Sequence, residues 1–325
     1  MPGSNRSLDS SSSPLSPGEP LLHRHPQGPI LRGSDFPAEA RIQRVFNSGV
    51  IKDGKRYIMA CRVEDRALRN HIWIAESEDG VLFTPRPRPI QLPHDQPAFA
   101  KYTSGMVYDP RITKIEDTFY LMHAAHSEHG CRLSLLSTKD FTDFTWLGFV
   151  SETDNRNGVL FPEKIGGLYA RLDRPNTGGN FGDIWISYSP DLIFWGKSEC
   201  VLRNSEVRWA WSKIGPGAVP IKTKKGWLNI FHGVRTQCAQ HYVYGLGVAL
   251  HDLRDPAKII ARSEEAILEP ELDYELIGQT PSVVFTSGAV CEEDGSVKVY
   301  YGGADTVQCL ATTTIEKLLY ACEHL

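Results

Sequence analysis

The chain has 325 residues, 41% apolar and 23% charged, enough for one large domain or two ordinary ones around a sizeable core. Its net charge of −4 lacks the basic excess of a nucleic-acid binder. No run approaches the roughly eighteen uninterrupted apolar residues of a membrane-crossing helix, and the N-terminal stretch has no apolar core of a secretory signal.

In chain order, residues 1–35 come first. Ser, Pro and Gly dominate them, and they read as a disordered or loosely attached tail, leaving 36–325 as a single domain. A weak internal repeat follows. Residues 46–63, 107–125, 158–175, 215–234 and 283–305 each run from a short apolar segment through a polar or Gly turn into a second strand-like run. Asp53-Gly54, Glu116-Asp117, Gly166-Gly167, Lys225-Gly226 and Asp294-Gly295 occupy the turns, where such residues favour hairpins. A further strand-like run follows each hairpin, with the alternation of half-buried strands visible at Ile72 and Ile74 and again at Ile184 and Ile186. The second strands begin near Tyr57, Phe119, Tyr169, Trp227 and Val297, spacings of 62, 50, 58 and 70 residues, which suit propeller blades. Helical signal is confined to Ile315 through His324. The chain is therefore expected to be all-β, a five-bladed β-propeller, with a long-looped β-sandwich as the alternative. Seven scattered cysteines without a CxxC pair argue for reduced thiols, and a cytoplasmic location is expected.

Aligning the hairpins puts Arg62, Ala124, Arg174, His232 and Gly302 at equivalent places, with Asn47, Asp109, Glu163 and Lys213 close to the same level on the preceding strands. Polar groups converging at one mouth of a propeller make a site for an anionic or heavily hydroxylated ligand. Asp109, in an otherwise apolar strand, is either a general acid or a turn carboxylate paired with Arg111. Arg62, Glu64 and Asp65 form a charged run that could also be a mutual ion-pair cluster. Arg156, Arg174, Lys213 and His232 are candidates for binding phosphate, Arg as a planar fork and Lys as a point charge. Trp209, Trp211, Tyr242 and Tyr244 could floor a sugar site or pack in the core. No P-loop or GxGxxG is present, so no nucleotide is implied.

Phe46-Asn47-Ser48, Arg62-Val63-Glu64-Asp65, Tyr108-Asp109-Pro110-Arg111-Ile112, the run from Asn155 to Pro162, Arg174-Pro175, Lys213-Ile214-Gly215, Phe231-His232-Gly233 and the run from Tyr300 to Asp305 carry a resemblance to the β-mannoside phosphorylases of glycoside hydrolase family 130. It covers roughly residues 40–320. What the resemblance implies is a five-bladed propeller that performs inverting phosphorolysis, in which phosphate attacks a terminal β-mannosyl unit and yields α-mannose 1-phosphate. Asp109 matches the catalytic acid, thought to pass its proton through a mannose hydroxyl. Arg156, Arg174, Lys213 and His232 match the phosphate positions. Asn47, Arg62, Asp65 and Asp305 match residues around the mannose, and we count Tyr108 and Tyr242 as further substrate contacts. Hydrolase branches of the family lose the basic set, which is complete here. An inverting hydrolase also needs a second carboxylate as base, whereas phosphate is already a nucleophile. A β-mannosidase and a non-catalytic sugar-binding propeller are the alternatives. The expected ligands are a small β-mannoside, β-1,4-linked (mannosyl-N-acetylglucosamine, mannosylglucose or a mannooligosaccharide) with β-1,2 as the other linkage, and inorganic phosphate as co-substrate, with no metal or other cofactor, no nucleic acid and no membrane; homo-oligomerisation stays open. One departure bears on the leaving sugar: many members carry a histidine where this chain runs through residues 176–181.

Overall fold

A computed structural model describes residues 15–16, 19–176, 182–238 and 241–325. Five antiparallel sheets, one per repeat unit, stand around a central axis as the blades of a propeller. A short N-terminal strand, β1 (His23–Arg24), precedes them. Blade 1 is β2 (Ile42–Asp53), β3 (Arg56–Asp65), β4 (Asn70–Ser77) and β5 (Thr84–Pro85). Blade 2 is β6 (Met106–Ile115), β7 (Thr118–Ser127), β8 (Gly130–Thr138) and β9 (Thr145–Phe149). Blade 3 is β10 (Asn155–Leu160), β11 (Tyr169–Pro175), β12 (Ile184–Ser189) and β13 (Gly196–Leu202). Blade 4 is β14 (Lys213–Pro216), β15 (Ile221–Lys222), β16 (Trp227–Thr236), β17 (Tyr242–His251) and β18 (Ile259–Arg262), with β14 and β15 both pairing with β16. Blade 5 is β19 (Val284–Cys291), β20 (Ser296–Gly303) and β21 (Val307–Thr314), and β1 completes it from outside. The expected helix spans Ile315–His324, capped by the Thr314 hydroxyl, which accepts from the Lys317 amide.

The core lies between neighbouring blades. Ile58, Ile72 and Ile74 of blade 1 pack with Ile112, Phe119 and Leu121 of blade 2, and Leu172 and Ile186 of blade 3 pack with Trp227 and Phe231 of blade 4. At the axis the innermost strands come too close for ordinary side chains. A Cβ on Gly49 would fall 2.5 Å from the Pro110 carbonyl oxygen, so blades 1 and 2 can meet there only through glycine. Arg111, 1% exposed, spans the centre. It donates to the Gly217 carbonyl at 2.7 Å, to that of Pro216 at 3.1 Å and to that of Asp109 at 2.9 Å, tying blade 2 to blade 4. The expected alternative, an Arg111 pair with the Asp109 carboxylate, is thus overturned: the guanidinium is spent on backbone carbonyls.

The expectation of a loose tail over 1–35 needs correction from residue 19 onward. β1 runs antiparallel to β21, His23 opposite Thr312 and Arg24 opposite Ala311. Leu22 and Leu31 are 2% and 1% exposed, and burying a leucine stabilises by about 1.5–3 kcal/mol. Arg24 donates to Glu275 at 2.8 Å and to Glu271 at 3.1 Å. Low-complexity composition concealed the few leucines that supply the docking area. Residues 1–14, 17 and 18 of the proposed tail lie outside the described residues.

Candidate active site

The strand register makes the site. Phe46 faces Arg62, Tyr108 faces Ala124, Arg156 faces Arg174, Gly215 faces His232 and Phe285 faces Gly302, so the five equivalent positions read from the repeat are equivalent in the fold. One residue further along, blades 1, 2 and 3 slip register in the same way: two residues of the innermost strand oppose one of its neighbour. Such bulges re-aim side chains. The first bulged residues are Asn47, Asp109 and Asn157, with φ of +50°, +51° and +58°. Asn and Asp are the non-glycine residues that tolerate this left-handed conformation best. Asn157 was missed from sequence, and Glu163 was placed at this level instead. The blade 3 hairpin turns at Gly166-Gly167, beyond the end of β10, and carries Glu163 away to an ion pair with Lys222.

On the blade 1–2 side, Asp109 is buried, and one of its oxygens accepts from Arg62 Nη1 at 2.8 Å and from Asn47 Nδ2 at 3.1 Å. Among the described residues the second oxygen, Oδ2, has no donor. The Arg62 guanidinium lies against two rings, 4.3 Å from the Phe46 centroid and 5.0 Å from that of Tyr108, and donates to Asn70 at 3.3 Å. The Tyr108 hydroxyl lies 3.1 Å from Cys131 Sγ. Asp305, with φ of +49°, belongs to this cluster: burial raises its pKa, while Arg62, Thr280 and Asn47 act on its carboxylate in the opposite direction.

On the blade 3–4 side the charges are positive. Arg174 is buried, and burial followed by repulsion from Arg156 lowers its pKa. Lys213 is brought down to about 8 by burial and then by Arg174 and Arg156. Its ammonium lies 5.0 Å and 5.6 Å from the ring centres of Tyr242 and Tyr244. Among the described residues neither Arg174 nor Lys213 has a carboxylate within ion-pair distance. Arg156 has one, Asp154, at 2.8 and 3.0 Å. Asp154 also takes Asn176 Nδ2 at 2.9 Å and the Cys131 amide at 3.2 Å, so it is fully engaged. His232 differs from expectation. It is 0% exposed, and burial together with Arg174, Arg111 and Lys213 holds its pKa well below the ordinary value, so the ring is neutral. Its Nε2 lies 3.3 Å from Arg174 Nη1 and accepts from it, so His232 supports Arg174 from beneath and adds no charge.

Other sequence candidates are not brought to this centre. Asp65 is spent on the β3–β4 turn: it accepts from the Ala67 and Arg69 amides and pairs with Arg69 and His71. Burial alone would raise its pKa, yet these bonds together hold it at about 2. Glu64 pairs with Arg44, so Arg62, Glu64 and Asp65 have separate partners and form no mutual cluster. Trp209 stacks on Phe231 in the core, whereas Trp211 is exposed. Residues 177–181, where the departure from the family pattern falls, lie outside the described residues. Among those described, no three His, Cys, Asp or Glu side chains come together as metal ligands, and no helix is long and apolar enough to cross a membrane.

Fold and site define the class: a five-bladed propeller whose mouth sets the Asp109 cluster against a group of cations. Residues 21–324 match the profile of glycoside hydrolase family 130 described as β-1,4-mannooligosaccharide phosphorylase. The β-1,2-mannobiose phosphorylase of Listeria innocua is 38% identical over 256 residues, 78% of this chain and 69% of that protein. The β-1,4-mannooligosaccharide phosphorylase of Ruminococcus albus is 31% identical over 312 residues, 94% and 92% of the two chains. The solved structure of the Listeria innocua enzyme in complex with β-1,2-mannobiose superposes with a TM-score of 0.82 at 29% identity, covering 93% of this chain and 99% of the other. The chain belongs to glycoside hydrolase family 130.

Proposed function

We propose that the chain catalyses inverting phosphorolysis of a terminal β-mannoside, giving α-mannose 1-phosphate and the shortened acceptor. As a member of its family it is a glycoside phosphorylase acting on β-mannosides; the residue roles, product and linkage make up the finer reading. The observation that carries it is the group of three cations, Arg174 buried and Arg156 and Lys213 half-buried, with Asp154 as their one described carboxylate partner. Arg156, Arg174 and Lys213 repel one another, and a dianion placed among them relieves that repulsion. Phosphate held there attacks the anomeric carbon as the glycosidic C–O bond breaks. Asp109 supplies the proton for the leaving oxygen through a mannose hydroxyl, from the carboxyl oxygen that Arg62 and Asn47 leave free. The proton lost by the attacking phosphate on ester formation restores the acid. A water nucleophile would need a free carboxylate as base on the cation side, and Asp154 is tied to Arg156 and Asn176.

Asn47, Arg62, Tyr108 and Asp305 bind the mannosyl unit in this reading, and Tyr242 stands beside Lys213 where acceptor and phosphate meet. The reaction draws on no cofactor beyond phosphate as co-substrate. A cytoplasmic location fits a charged sugar phosphate product kept inside the cell, and all seven cysteines are unpaired. The relatives' names divide between β-1,2 and β-1,4 linkages, so both are assayed. The test is incubation with α-mannose 1-phosphate and a panel of sugar acceptors, with release of inorganic phosphate expected and the new linkage read by NMR. Undiminished release of free mannose from mannobiose in phosphate-free buffer would overturn the reading in favour of hydrolysis.

A further inference from the structure

Asp305 reaches the mouth from a turn that its own residue types do not favour. Ala304 and Asp305 are consecutive non-glycine residues in the left-handed region, with φ of +45° and +49°. Residues stay there only where their surroundings hold them. The hold comes from residues 278–283, the stretch that leads into β19. The Ala304 amide donates to the Val283 carbonyl at 3.0 Å, the Thr280 amide to the Ala304 carbonyl at 3.3 Å and the Gln279 amide to Thr306 Oγ1 at 3.0 Å. A Cβ on Gly278 would fall 2.3 Å from the Ala304 carbonyl oxygen, so the stretch presses on the turn through glycine. The Thr280 side chain also acts on the Asp305 carboxylate and favours its charged form.

That stretch is held in turn by Glu275, which is 0% exposed and lies in the helical turn Asp273–Leu276. The Glu275 carboxylate accepts from the amides of Glu271 at 2.8 Å and Leu272 at 3.0 Å and from the Tyr301 hydroxyl at 2.8 Å. Its backbone carbonyl accepts from the Val283 amide at 2.9 Å. Among the described residues its one cation is Arg24 of β1. Arg24 donates to both carboxylate oxygens, from Nε at 2.8 Å and Nη2 at 3.0 Å, across 251 residues of sequence. Burial alone would raise the Glu275 pKa, yet Arg24 and the two amides bring it below its ordinary value. A buried carboxylate stripped of its cation is costly, and its surroundings rearrange to relieve it. Direct contacts thus run from β1 through Glu275 and residues 278–283 to the turn that carries Asp305.

We propose that Arg24 is a positioning residue for the mannoside: from the docked N-terminal strand it fixes, through Glu275, the stretch that holds Asp305 in the mouth. The proposal rests on the phosphorylase reading, which makes Asp305 a mannose contact. Arg24 touches no reacting atom and acts only through these intermediates. Arg156 and Arg174 stand on blade 3, outside this run of contacts, so the effect falls on the sugar and spares the phosphate.

The experiment varies both substrates for wild type, Arg24→Ala, Arg24→Lys and Thr280→Val, with β-1,2- and β-1,4-mannobiose as the mannosides. In Arg24→Ala, KM for the mannobiose that is cleaved should rise about tenfold, the scale of one lost charge-assisted bond, with KM for phosphate within about twofold of wild type. Arg24→Lys should recover part of this, because an ammonium keeps the charge but cannot span both oxygens as a fork. A role in stability alone would lower the melting temperature and the folded fraction but leave both KM values at wild type, and that result overturns the proposal. Thr280→Val cuts the run at its far end with β1 still docked, so it carries the test if Arg24→Ala does not fold. It should show the same split, and combined with Arg24→Lys it should cost less than the product of the two single effects. A full product means that the two positions act independently, which also overturns the proposal. Calorimetric titration of mannobiose into wild type and Arg24→Lys, without phosphate, separates the proposal from the reading beneath it. Wild type that forms no mannose 1-phosphate refutes phosphorolysis, whereas equal affinity of the two proteins for mannobiose refutes the positioning role.

Discussion

On the blade 1–2 side of the mouth each charged group has a partner: Asp109 takes Arg62 and Asn47, Arg62 lies against two rings, and Asp305 is drawn on by Arg62, Thr280 and Asn47. On the blade 3–4 side, Arg174 is buried and Lys213 half-buried, neither with a described carboxylate partner, and Arg156 has the single one. A matched set is at rest without ligand. An unmatched set of buried cations is costly to the fold, and such a cost persists where a ligand removes it. The contrast separates the two substrates physically: a neutral sugar meets fixed hydrogen-bonding geometry, and a dianion meets stored repulsion.

The largest break in that contrast is Asp109→Asn. The amide keeps an oxygen for Arg62 and Asn47 but cannot give up a proton, so turnover on an unactivated disaccharide should fall about 10²–10⁴-fold with little change in melting temperature. Single-turnover rates and a thermal melt check it together. Next comes Arg174→Ala, which should raise KM for phosphate about ten- to a hundredfold, the equivalent of about 1.5–3 kcal/mol for a charge-assisted contact, and barely move KM for the sugar. Arg62→Ala should do the reverse, and identical effects of the two on both KM values would merge the halves into one site.

Smaller effects sharpen the comparison. Lys213 is charged below its depressed pKa of about 8 and neutral above it. KM for phosphate should therefore rise as pH climbs through that value, and Lys213→Met should flatten the rise while raising KM throughout. The smallest change is expected at His232. Because its ring is already neutral, the phosphate KM should show no inflection from it near the ordinary histidine value of about 6.5. His232→Ala should cost about fivefold in phosphate KM by loosening Arg174, roughly 1 kcal/mol for one hydrogen bond. His232→Gln, which keeps an acceptor near the Nε2 position, should restore most of it.

The repeat is legible because its signals are local: alternation sets strand faces, and turn residues set hairpin ends, so Arg62, Arg174 and His232 align from the sequence alone. Asp109 stood out as a carboxylate inside an apolar strand. Asn157 did not, because the longer blade 3 hairpin shifts it out of alignment with Asn47 and Asp109. Asp65 looked available in sequence, yet its partners Arg69 and His71 are set by a turn only a few residues away. The neutral state of His232 depends on Arg174 and Arg111 arriving from other blades, which no local pattern encodes. Leu22 and Leu31 were too sparse amid Ser and Pro to read as a docked segment.

The docked N-terminal strand sets the order in which the ring can be finished. Thr312, the partner of His23, lies 289 residues later, so the last blade stays incomplete until blades 1 to 4 have been made. Contacts of such sequence separation form slowly, and blades 1 to 4 must hold together as an open arc in the meantime. The same seam brings Leu21 and Leu22 into one groove with Leu325.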